Sequence, residues 1–218
     1  MRVCNVRLVT PNDKNYRDYC QRFALSKMTL REKKGPSKTC QFSMVAERMA
    51  RSWVASCTPI MEERILSYRQ FYSRANLWCD GHREIDIVTG TDEPEVLIEV
   101  KFTSANITCV SMSGKRQLLE SYSIAKYKWA LLRACTIGVS LTSNAPTNLH
   151  KLYEAINRCP TKLVDAADIP HVVIGARPLW ESEYDKIKCD PNLLDDAMAE
   201  YQTSQKRREE REANRQAK

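Results

Sequence analysis

The chain has 218 residues, 43% of them hydrophobic and 28% charged, and a formal net charge of +7. That suffices for one sizeable core with extensions and is too short for two generous domains. No run approaches the roughly eighteen apolar residues of a spanning helix, and "MRVCNVRLVTPNDKNY" lacks the apolar centre of a signal peptide. A membrane partner is therefore not expected, and the chain should stay intracellular, in the cytoplasm or nucleus.

Residues 1–40 hold ten Lys/Arg against three acids, so the remaining 178 residues are neutral overall. With Tyr16, Tyr19 and Phe23 interleaved, this stretch reads as a basic N-terminal arm suited to a phosphate backbone and stacked bases, Lys33 and Lys34 among its contacts. A solvated helix that keeps the chain soluble is the plain alternative. "TLREKKGPSKTC" then reads as a linker into a body of residues 41–189. Nine cysteines lie scattered without a C-x-x-C pair, which argues against both a disulfide framework and a zinc cradle. Cys79 and His82 in "CDGH" have ligand spacing but no second pair.

Phe42, Val45, Met49 and Trp53 recur at helical spacing, and a second helix is predicted from Pro59 to Tyr72, with Thr58 as its cap. Three short strands are expected next, "ANLWC" (75–79), "EIDIV" (84–88) and "EVLIEVKF" (95–102), separated by the turns "DGHR" and "TGTDEP". A long helix over 113–134 follows. Then come a buried strand at 135–141, a helix at 145–159 and a strand at 170–178. Strand, long helix, strand implies a parallel pairing. From Asp190 the chain reads as a charged, helical or frayed tail.

Alternation puts Ile85 and Ile87 on one side of their strand and Glu84, Asp86 and Val88 on the other, and puts Leu97, Glu99 and Lys101 together on the next. If the two strands pair, Asp86, Glu99 and Lys101 converge. A solvated face with a surface ion pair accounts for this pattern. So does a site where a hard divalent cation sits between two carboxylates and a lysine orients the attacking water.

Asp86, then Glu99-Val100-Lys101 a dozen residues later on the next strand, then a long helix and a further strand, resembles the PD-(D/E)XK nuclease superfamily. The stretch from Asn76 to Phe102 is similar in motif to archaeal Holliday-junction resolvases and related small nucleases. The resemblance covers about residues 59–141. It implies an α/β fold with a restriction-endonuclease-like αβββαβ core, a mixed sheet flanked by helices, Mg²⁺ or Mn²⁺, and hydrolysis of nucleic acid, DNA ahead of RNA. Asp86 and Glu99 would bind the metal together with the Val100 carbonyl, and Lys101 would position water. A helical glutamate often completes such sites: Glu63 or Glu62 is the first choice here and Glu47 the second. A homodimer is implied where both strands are cut. Lys115, Arg116, Gln117 and His82 are the further expected nucleic-acid contacts. The Gln-x-x-x-Tyr signature of the recombination branch is absent, Gln117 and Tyr122 being five apart. Two other readings stay open: a non-catalytic nucleic-acid-binding or assembly module of this fold, and an RNA endonuclease resembling the cap-snatching enzymes of segmented RNA viruses. The histidine ligand of those enzymes lies on an upstream helix, whereas His82 is expected in a turn.

Overall fold

The computed structural model describes residues 2–27, 36–103, 107–160 and 162–216, without the side chains of 23–27, 107–111 and 216. Lys33, Lys34 and the Phe23 side chain lie outside the described residues. Strands β1 (Arg2–Val9), β2 (Ile65–Tyr72) and β3 (Leu77–Glu84) form an antiparallel sheet in that order. A second sheet runs β4 (Ile87–Thr89), β5 (Val96–Thr103), β6 (Arg133–Ser140), β7 (His171–Gly175). Its β4–β5 pair is antiparallel, and β5–β6 and β6–β7 are parallel. The helices are α1 (Lys14–Lys27), α2 (Lys38–Ala55), α3 (Ile107–Ala125), α4 (Leu149–Arg158), α5 (Ala176–Ile187) and α6 (Leu193–Gln216). As expected, α3 is the crossover between the parallel strands β5 and β6. Among the described residues no helix is long and apolar enough to cross a membrane.

Backbone bonds stitch the two sheets together. Residues 59–64 run antiparallel to 85–90 through Met61 N–H to Val88 O (2.8 Å), Gly90 N–H to Pro59 O (3.1 Å) and Ile85 N–H to Arg64 O (3.0 Å). The chain from Pro59 to Tyr72 is thus one long bent extended segment, not the predicted helix. Its apolar residues fit a helical face on paper, but Leu66 and Tyr68 alternate into the core, and neighbours on both sides, β1 and β3, satisfy its backbone. The stretch expected to be an arm also folds onto the body, supplying β1 as an edge strand and α1.

Two apolar clusters lie on opposite faces of the second sheet. Ile87, Ile98, Val100, Ile137 and Val172 pack with Phe42, Met49 and Trp53 of α2, with Leu179 and Trp180 of α5 and with Leu194 of α6. Ile85, Val88 and Leu97 pack with Leu118, Tyr122 and Ala125 of α3. Ser37 caps α2 by accepting from Cys40 N–H (3.1 Å), and Asn148, not Ala145, starts α4 by accepting from Lys151 N–H (3.2 Å). The predicted 113–134 helix ends nine residues early. The chain must turn back there to bring Arg133 beside Val96, while Trp129 and Leu132 remain buried. Helix α5 is not expected from the sequence, which extends the preceding strand to residue 178, over the first turn of α5. The charged tail is helical through Gln216, with Leu193, Leu194 and Ala197 buried at its start.

Candidate functional site

The break between β3 and β4 builds the site. Ile85 packs on the α3 side and Ile87 on the α2 side, although residues two apart in a regular strand share a face. The expected common face for Ile85 and Ile87 is therefore lost: the chain switches sides at Asp86, which belongs to neither strand. Pairing with β5 stops at Ile87 opposite Ile98. Beyond that point the Asp86 side chain takes over as acceptor for β5, with Val100 N–H donating to Oδ2 at 2.6 Å. Two arginines pin the bend. Arg51 of α2 donates to the Asp86 carbonyl (3.3 Å) and the Met61 carbonyl (2.8 Å), and Arg64 donates to the Ile85 carbonyl (3.4 Å).

Across the gap, Glu99 is 1% exposed. Lys101 Nζ donates to Glu99 Oε1 at 2.5 Å and to Gln117 Oε1 of α3 at 3.1 Å. The lysine stem lies over Gly114, where an added Cβ would come within 2.7 Å of Lys101 Cγ. Gly114→Ala should therefore push the lysine off its two acceptors: overpacking costs about 1–3 kcal/mol and the gain in helix propensity about 1 kcal/mol. We expect a melting temperature close to that of the parent and a clear fall in any activity that needs Lys101. An unchanged rate would show that the lysine's position is immaterial.

Burial and mutual repulsion govern the charges. Desolvation, then the Glu99 charge, push the Asp86 carboxyl up to about 7 against the Val100 N–H and Lys101. Glu99 is raised by burial, which outweighs the pull of Lys101. Glu47, one turn before Arg51 on α2, is also raised, by burial and then by Asp86. Glu84 joins the same field, but its oxygens are engaged by Arg64 (2.6 Å) and the Tyr16 hydroxyl (3.0 Å).

The structure brings together Asp86, Glu99, Lys101 and Gln117, with Glu47 electrostatically beside them. It does not place Glu62 or Glu63 on a helix. Glu63 lines a shallow cleft with Arg7, Met61 and Asp92, and Glu62 acts on Arg51, so of the glutamates weighed only Glu47 is helical and coupled to Asp86. Val100 meets Asp86 through its amide. Lys115 donates to the Ala167 carbonyl (3.5 Å), and Arg116 is exposed on α3. His82 sits within β3 opposite Ser67, not in a turn. Arg51, Arg64 and Tyr16 escape a reading of motifs, because their work is to hold backbone and a neighbouring carboxylate.

The donor set is hard oxygen from buried, mutually repelling carboxylates, which suits Mg²⁺ or Mn²⁺ better than a softer ion. One oxygen each of Asp86 and Glu99 is taken by Val100 N–H and Lys101. Among the described residues no three His, Cys, Asp or Glu side chains converge in an arrangement that could hold a metal ion, and this includes Cys79 and His82.

No family model and no curated protein matches the chain. A crystal structure of protein VC1899 from Vibrio cholerae is similar at a TM-score of 0.31 and 11% identity, over 88% of this chain and 47% of that one. The chain therefore spans about half the length of that protein.

Proposed function

We propose that the chain is a metal-dependent nuclease hydrolysing phosphodiester bonds, DNA ahead of RNA. The observation that carries this reading is the meeting of Asp86, Glu99 and Lys101 at one break in the sheet, with the Asp86, Glu99 and Glu47 carboxyls held above their ordinary range chiefly by burial. The order α2, bent antiparallel pair, β5, α3, β6 is the helix–three strands–helix–strand order that a PD-(D/E)XK core implies, and it supports the reading.

Asp86 and Glu99 would hold Mg²⁺ or Mn²⁺ through their remaining oxygens, with the Val100 carbonyl as a further oxygen and water and substrate phosphate filling the rest of the shell, as suits an ion bound by one or two carboxylates. When bound, the ion supplies Lewis-acid polarisation of the scissile phosphate. The chain's own residues do the rest. Val100 N–H fixes the Asp86 carboxylate, and Arg51 fixes its backbone. Lys101, held by Glu99 and Gln117, keeps a third N–H to orient the attacking water and to meet charge developing on phosphate oxygens.

A second reading, a nucleic-acid-binding or assembly module without catalysis, is favoured by the 2.5 Å Lys101–Glu99 pair, which satisfies both groups within the protein. Calorimetric titration with Mn²⁺ and Mg²⁺ separates the two. The nuclease reading requires binding by the parent chain that Glu99→Ala removes, together with cleavage of DNA in gels. A parent chain that takes up neither ion belongs to the second reading.

A further inference from the structure

A second concavity lies between α1 and the first sheet. Its volume is about 900 Å³, and it opens between β1, α1 and the β2–β3 pair. Arg7, Arg22 and Arg69 line it with Tyr19 and His82, opposed by Asp18 and Asp80. Asp80 is already paired with Arg69 at 3.2 Å, so Arg7 and Arg22 outweigh the one remaining acid. The His82 ring stands against Tyr19 at 5.0 Å between centroids and Tyr16 at 5.8 Å. Its Nε2 lies 3.5 Å from Ser67 Oγ, and its Nδ1 is buried without a hydrogen-bond partner among the described residues. Burial lowers its pKa, helped by Arg7 and Arg22 and opposed by Asp13 and Asp80, so at neutral pH the ring is uncharged.

This lining has the composition of a single-strand site: arginines for phosphates and ring faces for bases. The volume is that of a site for one or a few nucleotides, and a double helix exceeds it. The cleft also has a direction. His82 is four residues before Asp86 on the same extended chain, about 13 Å at 3.3 Å per residue, and Tyr16 of α1 bonds to Glu84 between them.

We infer that the cleft beneath α1 holds a single-stranded segment of nucleic acid next to the bond presented at Asp86. This rests on the nuclease reading for the strand's destination but not for its binding.

Fluorescence anisotropy on the full chain in EDTA tests it, with a labelled ten-nucleotide thymidine strand and a labelled hairpin duplex as probes. Arg7 and Arg22 are exposed, so the double variant Arg7→Ala/Arg22→Ala should melt as the parent does. We expect at least a tenfold loss of single-strand affinity, with the slope of log K against log salt reduced by about 1.4 for two lost phosphate contacts. Duplex affinity should change by less than about threefold, since exposed cations outside the cleft carry that sequence-independent attraction. Tyr19→Ala should weaken single-strand binding by about fivefold or more, within the range of a lost base stack, with the salt slope unchanged. Equal losses on both probes, no loss at all, or displacement of the strand by adenosine monophosphate at the strand's own Kd would each overturn the inference. A parent chain that cleaves nucleic acid while its strand affinity ignores Arg7 and Arg22 sinks the cleft alone. One that binds strand through the cleft and never cleaves sinks the nuclease reading alone.

Discussion

Lys101→Ala should lower cleavage of a labelled DNA in Mg²⁺ or Mn²⁺ by about 10²–10⁴-fold, the range for loss of one positioned proton-handling group. The fold should survive, because the lysine side chain is a quarter exposed and the apolar clusters do not include it. Metal binding should persist in calorimetry, since the variant removes a cation from beside Glu99 and leaves all three carboxylates in place. The split between chemistry and binding is what identifies the lysine as a catalytic residue. If the same variant loses Mn²⁺ binding and cleavage together, Lys101 is a strut for Glu99 and the water-orienting role is wrong. If cleavage is unchanged, the reaction does not occur at this cluster.

That the sequence foretold the meeting of Asp86, Glu99 and Lys101 and misjudged their surroundings has a physical explanation. Strand β5 is covered on both faces, so "VLIEVKFT" is mostly apolar, and its two charges, Glu99 and Lys101, stand out against that burial. The three-residue spacing of apolar groups in α2 is equally plain, because one face of that helix meets the sheet. The segment from Pro59 to Tyr72 is harder. Ile60, Met61, Ile65, Tyr68 and Tyr72 satisfy a period near 3.6, and pairing with β3 and with β1, far off in sequence, decides for a strand. Misreading it put Glu62 and Glu63 on a helix, whereas Glu47, the second choice, does stand on one, α2. The break at Asp86 is hidden for another reason. Alternation assumes a continuous strand, and nothing in "EIDIV" announces that the faces exchange in its middle. The cations of the N-terminal stretch suggested an arm because charge reports solvation. The β-branched and aliphatic residues of "RVCNVRLV" on the sheet edge were the signal passed over.

Asp86→Asn should stabilise the chain in EDTA at pH 8. With a folded-state pKa of about 7 against 3.8 for an ordinary aspartate, the native protein holds a proton that the unfolded chain has released, and stability falls as pH rises through that window. Below about pH 4 the group is neutral in both states and costs nothing. At pH 8 it is ionised in a desolvated place beside Glu99. Asparagine removes that cost and can still accept from Val100 N–H. The gain should be about 2–4 kcal/mol at pH 8 and should vanish near pH 4, as read from melting curves across the series. A gain independent of pH would show that the carboxylate is not held out of its usual range. The same proton competes with a cation, so Mn²⁺ should bind the parent more tightly as pH rises through 7 and raise its melting temperature in the pH range where the metal-free protein is weakest. Asp86→Asn should be the more stable protein without metal and the less responsive one with it. That reversal is the signature of a charge cluster kept for binding a cation at the expense of the fold.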